Sequence, residues 1–303
     1  MNRKSTIRSK GQWFKGNTHA HTNRSDGKMT PDQLVSLYRD MGYSFLAITD
    51  HRCYGDFQSL SQSDFFVWPG VELDTGVSSG KALCHHLVGL AIPGQNSYTH
   101  GERILYEEDA SAHDLVNMLA QKGNFCIYAH PAWSHVQHEL LDEMTGLLGM
   151  EIYNSTCEVN AGVGYADSYY NRKLWKNQNW FCVASDDTHQ GKKDWGDGFI
   201  SVKTDALTHK DLYEAMTEGS FYASQGPEII DFYVEDQVVR LECSPCSTIA
   251  LFADSFPGLA DNFEGAAVTS YEHKLSGRER YIRATCTDEA GRKAWTQPIW
   301  LNA

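Results

Sequence analysis

Histidine and acidic residues occur in two kinds of place in this sequence. Some lie in a short polar segment without the pattern of a helix or strand, and others stand at the end of an apolar run. The segment GNTHAHTNRSDGKM, which begins at Gly16, holds His19, His21 and Asp26 and shows no apolar periodicity. Five further residues of these types end apolar runs: His51 in FLAITDH, Glu72 in FVWPGVE, His130 in FCIYAH, and Asp187 and His189 in FCVASDDTH. Imidazole and carboxylate groups bind transition metals. The pattern therefore predicts a metal site.

The spacing of these residues suits chelation. Residues i and i+2 on extended backbone point to the same side, so His19 and His21 can face one cavity, as can Asp187 and His189. A single strand-end histidine is often only a partly exposed polar residue, but chance does not place so many ligands at the ends of successive strands. Mixed imidazoles and carboxylates favour Mn, Fe or Zn over calcium, and their number exceeds what one ion can use.

Alternating helix and strand patterns supply the elements that must position these residues. Thr30, Pro31 and Gln33 predict a helix start, with Thr30 as the N-cap and Gln33 in the capping-box position, and the strand SFLAITD follows. The same order recurs in SAHDLVNMLAQKG with NFCIYAH, in ADSYYNRKLWKNQ with WFCVASD, and in THKDLYEAMTEG with SFYAS. Such repeats predict a largely parallel sheet or barrel wrapped by helices, with its functional edge at the carboxyl ends of the strands.

The pattern changes after Gly226 and Pro227. From about Glu228 onward the sequence shows alternating strand patterns such as IIDFYVED and IALFAD, and no strong helical segment. We therefore expect two domains, residues 1–226 and a small β sandwich at residues 227–303.

Composition restricts the class of protein. The 303 residues are 41% hydrophobic and 21% charged, as in a folded soluble protein, and the formal charge of -13 argues against long nucleic acid as a partner. A small-molecule ligand is the better expectation. No apolar run is long enough to cross a membrane, and no apolar signal-peptide core follows the basic start, so we expect a cytoplasmic protein without a membrane partner.

The eight cysteines are scattered, several of them within apolar strand patterns, and predict buried free thiols rather than a disulfide framework. Cys243 and Cys246 form an isolated C-x-x-C motif without a second pair. This is a weak signal for zinc or redox chemistry, and chance spacing explains it more readily.

Six motifs in order resemble the PHP (polymerase and histidinol phosphatase) superfamily: GNTHAHTNRSDG, FLAITDH, PGVE, HHLVGL, YAHP and SDDTH. They cover the chain from about Gly16 to Gly226. The segments LTHKDLYEAMTEGSFYASQGPEI and AWTQPIWL further resemble the stand-alone phosphoesterases of this superfamily that carry an appended β domain. The resemblance implies an α/β fold with a distorted seven-stranded β/α barrel, followed by a small C-terminal all-β sandwich.

The resemblance also implies two to three divalent metal ions, Mn, Fe or Zn, in a centre that is trinuclear when complete. The implied ligands are His19, His21, Glu72 and Asp187 for the first ion, Glu72 as a bridge with His86 and His130 for the second, and Asp26, His51 and His189 for the third. In HHLVGL the family pattern favours His86 over His85, although an offset of one residue stays open.

The implied activity is that of a phosphatase or phosphoesterase that hydrolyses a small phosphorylated metabolite, such as a nucleotide, by attack of a metal-bridging hydroxide. Glu72, His130 and Asp187 would serve catalysis through the metals, and Arg24 and Arg52 would hold the phosphate. Two alternatives stay open: a carboxylic or carbamate ester hydrolase on the same scaffold, and a non-catalytic binding protein. The leaving-group acid and the oligomeric state are also open.

Overall fold

Helices and strands alternate along the first part of the chain in the computed structural model, which describes residues 3–75, 84–255, 259–262 and 267–301. These elements are β1 (Gln12–Asn17), α1 (Pro31–Asp40), β2 (Phe45–Ile48), a 3₁₀ turn (Gln58–Leu60), β3 (Phe66–Asp74), β4 (His86–Ala91), α2 (Ala112–Gln121), β5 (Asn124–Tyr128), α3 (His138–Glu143), β6 (Leu147–Asn154), α4 (Ser155–Ala161), α5 (Asp167–Trp175) and β7 (Phe181–Ser185). None of the described helices is long and apolar enough to cross a membrane.

Strands dominate the rest of the chain. Its elements are β8 (Phe199–Thr204), α6 (His209–Thr217), β9 (Phe221–Ser224), β10 (Ile229–Glu235), β11 (Val238–Cys246), β12 (Thr248–Ala253), β13 (Leu259–Asn262), β14 (Val268–Lys274), β15 (Tyr281–Thr287), β16 (Lys293–Thr296) and β17 (Ile299–Trp300). The helix-to-strand units that the sequence predicts are therefore confirmed, and so is the change to a β-rich pattern after Pro227.

Local sequence sets where the helices begin. At α1, the Thr30 hydroxyl accepts a hydrogen bond from the Gln33 N–H, and the Gln33 side chain accepts one from the Thr30 N–H, as the capping-box pattern predicts. Ser111 and Asp114 form the same reciprocal pair at α2. Both helices then bury an apolar face against the sheet, which fixes the strands on either side of them.

One long sheet contains most of the strands, in the order β13-β12-β15-β16-β9-β8-β1-β2-β3-β4-β5-β6-β7, with β17 on β15. β1, β2 and β3 are parallel, as are β5, β6 and β7, but β4 is antiparallel to both of its neighbours and β8 is antiparallel to β1. The expectation of a largely parallel sheet is therefore wrong. A parallel neighbour needs a long crossover, and the described residues between β3 and β4 include no helix that could provide one.

The described strands do not close into the seven-stranded barrel that we expected. β8 occupies the second edge of β1, and among the described strands β7 pairs only with β6. Beyond the strand ends, a bridge joins Ala20 to Thr188, the His21 N–H donates to the Thr188 carbonyl over 3.1 Å, and the Asp187 N–H donates to the His19 carbonyl over 2.9 Å. These bonds bring the segments that follow β1 and β7 together at the carboxyl edge.

The C-terminal strands form two layers around one apolar core. β10, β11 and β14 make a separate three-stranded sheet, whose Phe232 and Leu241 share a buried cluster with Ile249 and Ala284 of the long sheet. This is the layering of a β sandwich. Because β16 pairs with β9, the long sheet runs continuously across Gly226, and the division into residues 1–226 and 227–303 stays a prediction. All eight cysteines are buried free thiols, as expected.

Candidate metal centre

The predicted ligands come together at one edge of the sheet. The loops that follow the strands carry most of them: His19 and His21 after β1, His51 after β2, His130 after β5, and Asp187 and His189 after β7. Glu72 lies within β3, next to His51 through a single bridge. His86 is the first residue of β4, and because β4 runs antiparallel to β3, its amino end lies at this same edge.

The innermost group consists of His19, His21, Glu72 and Asp187, one ligand atom of each lying within 4.8 Å of the others. Asp187 Oδ1 is 3.1 Å from His19 Nε2 and 3.0 Å from His21 Nε2. Glu72 Oε2 is 3.3 Å and 3.2 Å from the same two nitrogens. All four side chains are buried. These are the four residues that the family resemblance implies for the first ion.

Glu72 faces different partners with its two carboxylate oxygens. Its Oε2 points to the innermost group and also lies 3.1 Å from His51 Nδ1. Its Oε1 lies 2.8 Å from His86 Nδ1 and 3.4 Å from His130 Nε2. A carboxylate placed in this way can serve two adjacent ions, one through each oxygen.

Asp26 forms the outer part of the cluster. Its Oδ2 is 3.3 Å from His189 Nε2 and 3.7 Å from His51 Nε2, and its Oδ1 is 3.6 Å from His21 Nδ1. The Asp26 side chain is 54% exposed, whereas those of His51 and His189 are 26% exposed. This outer group therefore faces the solvent side of the cluster.

Buried polar atoms in the cluster lack hydrogen-bond partners. Among the described residues, Glu72 Oε2, Asp187 Oδ1 and His51 Nδ1 are inaccessible to solvent yet make no hydrogen bond. An unpaired buried polar atom costs free energy, roughly 1–3 kcal/mol. A cation at the centre of the cluster would satisfy all three atoms, and the mixture of imidazoles and carboxylates fits a divalent transition metal.

The pKa shifts point to the same requirement for positive charge. Burial acts to lower the pKa of His21, but Asp187 and Glu72 outweigh burial and raise it to about 9. Burial opposes the ionisation of Glu72, yet the surrounding imidazoles, His19 foremost, hold its pKa well below the usual range. The carboxylates thus stay ionised and must be neutralised, either by protonated histidines or by metal ions that displace those protons.

Two proposed ligands have a left-handed backbone. The φ angle is 27° at His130 and 53° at Asp187. Non-glycine residues rarely adopt such angles, which cost of order 1–3 kcal/mol and persist where the surroundings impose them, often at functional sites. The conformation turns both side chains back towards Glu72 directly after their strands end.

Buried carboxylates that sequence reasoning did not single out support the ligands. Glu151 on β6 accepts hydrogen bonds from His19 Nδ1 over 2.8 Å, from the His130 N–H over 2.9 Å and from the Asn154 amide over 2.8 Å. It thereby sets the orientation of the His19 imidazole and holds the backbone at His130. The sequence does contain a signal for Glu151, because it is the acidic residue inside the apolar run LLGMEIYN.

Asp50 and Asp186 also accept several hydrogen bonds each, and these bonds hold loops of the site in place. Asp50 accepts from the Thr22 N–H and hydroxyl and from the Ser25 hydroxyl, which holds the loop that carries His21. Asp186 accepts from the Tyr38 hydroxyl and from three consecutive backbone N–H groups at residues 196–198. Each carboxylate directly precedes a proposed ligand in the sequence.

His85 and His138 contact tyrosine side chains instead of the cluster. His85 Nδ1 lies 2.6 Å from the Tyr128 hydroxyl, so of the adjacent pair the structure directs His86, and not His85, to Glu72. The His138 ring lies 4.3 Å from the Tyr169 ring between centroids and tilted to it, outside the cluster.

Arg24 and Arg52 line a cavity of about 450 Å³ beside Asp26 and His51. Arg52 forms a salt bridge with Asp74 and lies over the Tyr106 ring. A third arginine in the same cavity, Arg103, escaped sequence reasoning because it follows no ligand motif. An adjoining cavity of about 380 Å³ is lined by Trp133 and by the metal-ligand candidates other than His19 and His21, and it shares Asp26 and His51 with the arginine-lined cavity.

No family model and no curated protein matches the sequence. Solved structures do match the fold: a two-domain protein containing a predicted PHP-like metal-dependent phosphoesterase, from Bacteroides vulgatus, aligns over 95% of both chains with 15% identity and a TM-score of 0.53. The chain has a PHP-like fold. The resemblance inferred from the sequence motifs is thereby confirmed at the level of the fold.

Two further solved structures align with the chain, each over 59% of this chain and 89% of its own. One is a candidate metal-dependent phosphoesterase from Bifidobacterium adolescentis, at 17% identity and a TM-score of 0.43. The other is an amidohydrolase from Chromobacterium violaceum with bound sulfate and no metal, at 16% identity and a TM-score of 0.45. A PHP-like fold alone does not specify a substrate, which has to be argued from the site.

Proposed function

We propose that this chain is a metal-dependent phosphoesterase that acts on a small phosphorylated metabolite. The observation that carries the proposal is the arginine-lined cavity that opens directly onto the ligand cluster. Arg24 and Arg103 form no salt bridge with any described residue, so their charges are available to an anion. In a chain of net charge -13, three arginines beside a metal-binding cluster favour a phosphoester over a neutral ester.

The proposed ions would be held as the family resemblance implies. The sets are His19, His21, Glu72 and Asp187; Glu72, His86 and His130; and Asp26, His51 and His189. Divalent ions in such a site polarise phosphoryl oxygens and lower the pKa of water to near 7, which makes hydroxide available at neutral pH. Mn, Fe and Zn all suit these ligands.

The protein groups around the ions would bind and orient the substrate. Arg24 and Arg103 offer bidentate hydrogen bonds to phosphate oxygens, and Arg52 is kept in position by Asp74. The Trp133 ring lies 5.1 Å from the His130 ring between centroids and would offer an apolar surface to the part of the substrate in the adjoining cavity. The phosphoryl group would thus lie at the junction of the two cavities, next to Asp26 and His51.

A substrate panel tests the proposal. Protein produced with added Mn²⁺, Fe²⁺ or Zn²⁺ is assayed with phosphomonoesters, phosphodiesters and carboxylic esters, and its metal content is measured. We expect two to three ions per chain and turnover of at least one class of phosphoester. Turnover of carboxylic esters alone would favour the ester-hydrolase alternative, and a metal-loaded protein inactive on all classes would favour a binding protein.

Arginine variants test the location of the substrate. Arg103→Ala and Arg24→Ala should each raise KM for the best phosphoester about tenfold, because each removes a charged hydrogen bond. Arg39→Ala is the matched control, since Arg39 is exposed and pairs with Asp64 away from the site. If all three variants have the KM of the parent protein, the phosphate does not bind in the arginine-lined cavity.

A further inference from the structure

Three cysteine side chains meet between the two β layers of the C-terminal part. Cys243 and Cys246 lie on β11, Cys286 lies on β15, and their Sγ atoms are within 4.8 Å of one another. Each residue is at most 1% exposed. In the described part of the chain, no imidazole or carboxylate joins this thiol cluster, so its ligand set differs in kind from the His/Glu/Asp cluster.

A strand irregularity creates the thiol cluster. Residues i and i+3 of a regular strand point to opposite faces, so Cys243 and Cys246 would ordinarily diverge. The pairing of β11 with β14 shifts register between Glu242 and Cys246, and Pro245 stands within this irregular segment. As a result, both cysteines are buried although the strand otherwise alternates between inward and outward residues.

The opposite layer contributes the third thiol. Cys286 pairs with Ile249 and Ala294 in the long sheet and projects into the core shared by the two layers. A ligand held by all three sulfur atoms would therefore join the two sheets of the sandwich.

We propose that Cys243, Cys246 and Cys286 form a structural site for one soft divalent metal ion, with Zn²⁺ as the physiological occupant. Thiolates select soft and borderline ions. Zn²⁺ with three thiolates leaves one net negative charge in the core, whereas Cu⁺ would leave two, and burial of charge is costly.

The thiol hydrogen bonds are consistent with this site. The side chains of Cys243 and Cys286 both hydrogen-bond to that of Cys246, so the three thiols already contact one another. Metal binding would release their protons to solvent. The inference does not depend on the proposed phosphoesterase activity, because none of the three cysteines touches the His/Glu/Asp cluster.

Cadmium provides a selective probe, since only thiolate ligands give an intense near-ultraviolet charge-transfer band with this ion. The full-length protein is reduced, stripped of metal and titrated with Cd²⁺. We expect a band whose final intensity corresponds to one thiolate-bound Cd²⁺ per chain, since the His/Glu/Asp cluster also takes up Cd²⁺ but gives no such band. The band should be lost in Cys246→Ser and Cys286→Ser and survive in Cys126→Ser, which removes a thiol buried elsewhere in the chain. Glu72→Gln should also keep the band.

A second measurement does not depend on folded cysteine variants. In zinc-loaded Glu72→Gln protein, X-ray absorption at the zinc edge should detect about three sulfur neighbours per thiol-bound ion. Absence of both the cadmium band and the sulfur neighbours would overturn the proposal, as would isolation from a reducing lysate of a metal-free protein with a Cys243–Cys246 disulfide. A band retained at full strength in Cys286→Ser would exclude the third ligand and thus the site as proposed.

Discussion

At the scale of single residues, the candidate metal centre depends on buried carboxylates that each serve several partners. Glu72 directs one oxygen to His19 and His21 and the other to His86. Asp26 is half exposed, and the proposed ligands within 4 Å of its carboxylate are the outer histidines, His51 and His189, and His21. The two acidic residues should therefore contribute differently to metal retention and to turnover.

Glu72→Gln should abolish turnover and lower the metal content by at least one ion per chain, because an amide cannot supply a charged oxygen to two ions. Asp26→Asn should keep about two ions, raise KM and lower kcat partially, since it loosens only the outer site. Metal analysis and steady-state kinetics on the best phosphoester compare the two variants. Full metal content and unchanged kinetics in Asp26→Asn would show that the outer group has no function.

Glu151→Gln tests a residue that acts through the ligands. Glu151 accepts from His19 Nδ1 and from the His130 N–H, and loss of such a supporting carboxylate typically weakens metal affinity 10–100-fold. We expect a shift of this size in metal competition titrations, with kcat restored at saturating metal. Glu158→Gln is the control, because Glu158 is an acidic residue on α4 that accepts a hydrogen bond from the Gly164 N–H and contacts no proposed ligand. Equal metal affinity in both variants would contradict the supporting role.

At the scale of elements, α5 carries a buried positive charge. Lys173 is 1% exposed, lies 3.8 Å above the Trp180 ring and donates a hydrogen bond from Nζ to the Leu141 carbonyl. Burial lowers the pKa of Lys173 to about 8, against the weaker opposing effect of Asp142. The folded protein thus releases this proton at a lower pH than the unfolded chain, whose lysine titrates near 10.5.

Between pH about 8 and about 10.5, Lys173 is protonated in the unfolded chain but not in the folded protein. Lys173 therefore makes the free energy of unfolding rise as the pH increases through this range. Lys173→Met should remove this rise and leave the protein at least as stable at neutral pH. Denaturant unfolding at several pH values measures the effect. Lys176→Met, which removes a more exposed lysine at the end of the same helix, should keep the rise, and a parallel loss in both variants would contradict the assignment.

At the scale of the whole molecule, the C-terminal part of the chain supports β7, the strand that precedes Asp187. The Cys182 N–H on β7 donates to Gln297 Oε1 over 2.9 Å, and Gln297 Nε2 donates to the Cys182 carbonyl over 2.8 Å. Trp295 packs in the same core as the first part of the chain and donates to Asp167. The C-terminal part therefore stabilises the scaffold of the metal centre without contributing a proposed ligand.

Gln297→Ala should lower the free energy of unfolding by about 2 kcal/mol or more, because it leaves a buried N–H and a buried carbonyl of β7 without partners. The folded variant should keep its metal content. Gln121→Ala, an exposed position at the end of α2, is the control and should change stability by less than about 0.5 kcal/mol. Denaturant unfolding measures the stability of both variants, and metal analysis measures their metal content. Equal stability of the two variants would show that Gln297 does not support β7.

Much of this arrangement could be predicted from short stretches of sequence. Thr30 with Gln33 specifies the start of α1, and the apolar runs before His51 and His130 specify the strands that end at the metal centre. Such signals are readable because caps and strand patterns depend on residues only a few positions apart. The resemblance to PHP proteins added His86 and the grouping of the ligands, whose metal binding stays a prediction.

Features that depend on pairing between distant segments were determined only by the tertiary structure. The antiparallel direction of β4, the position of β8 on the edge of β1 and the contact of Glu151 with His19 join residues 12 to about 190 positions apart. The register shift that turns Cys243 and Cys246 to the same side arises from pairing with β14. Local sequence encodes where an element begins and which of its faces is apolar. Which strand pairs with each edge, and which group neutralises each buried charge, is determined only when the chain packs, because it depends on the free energy of the complete fold.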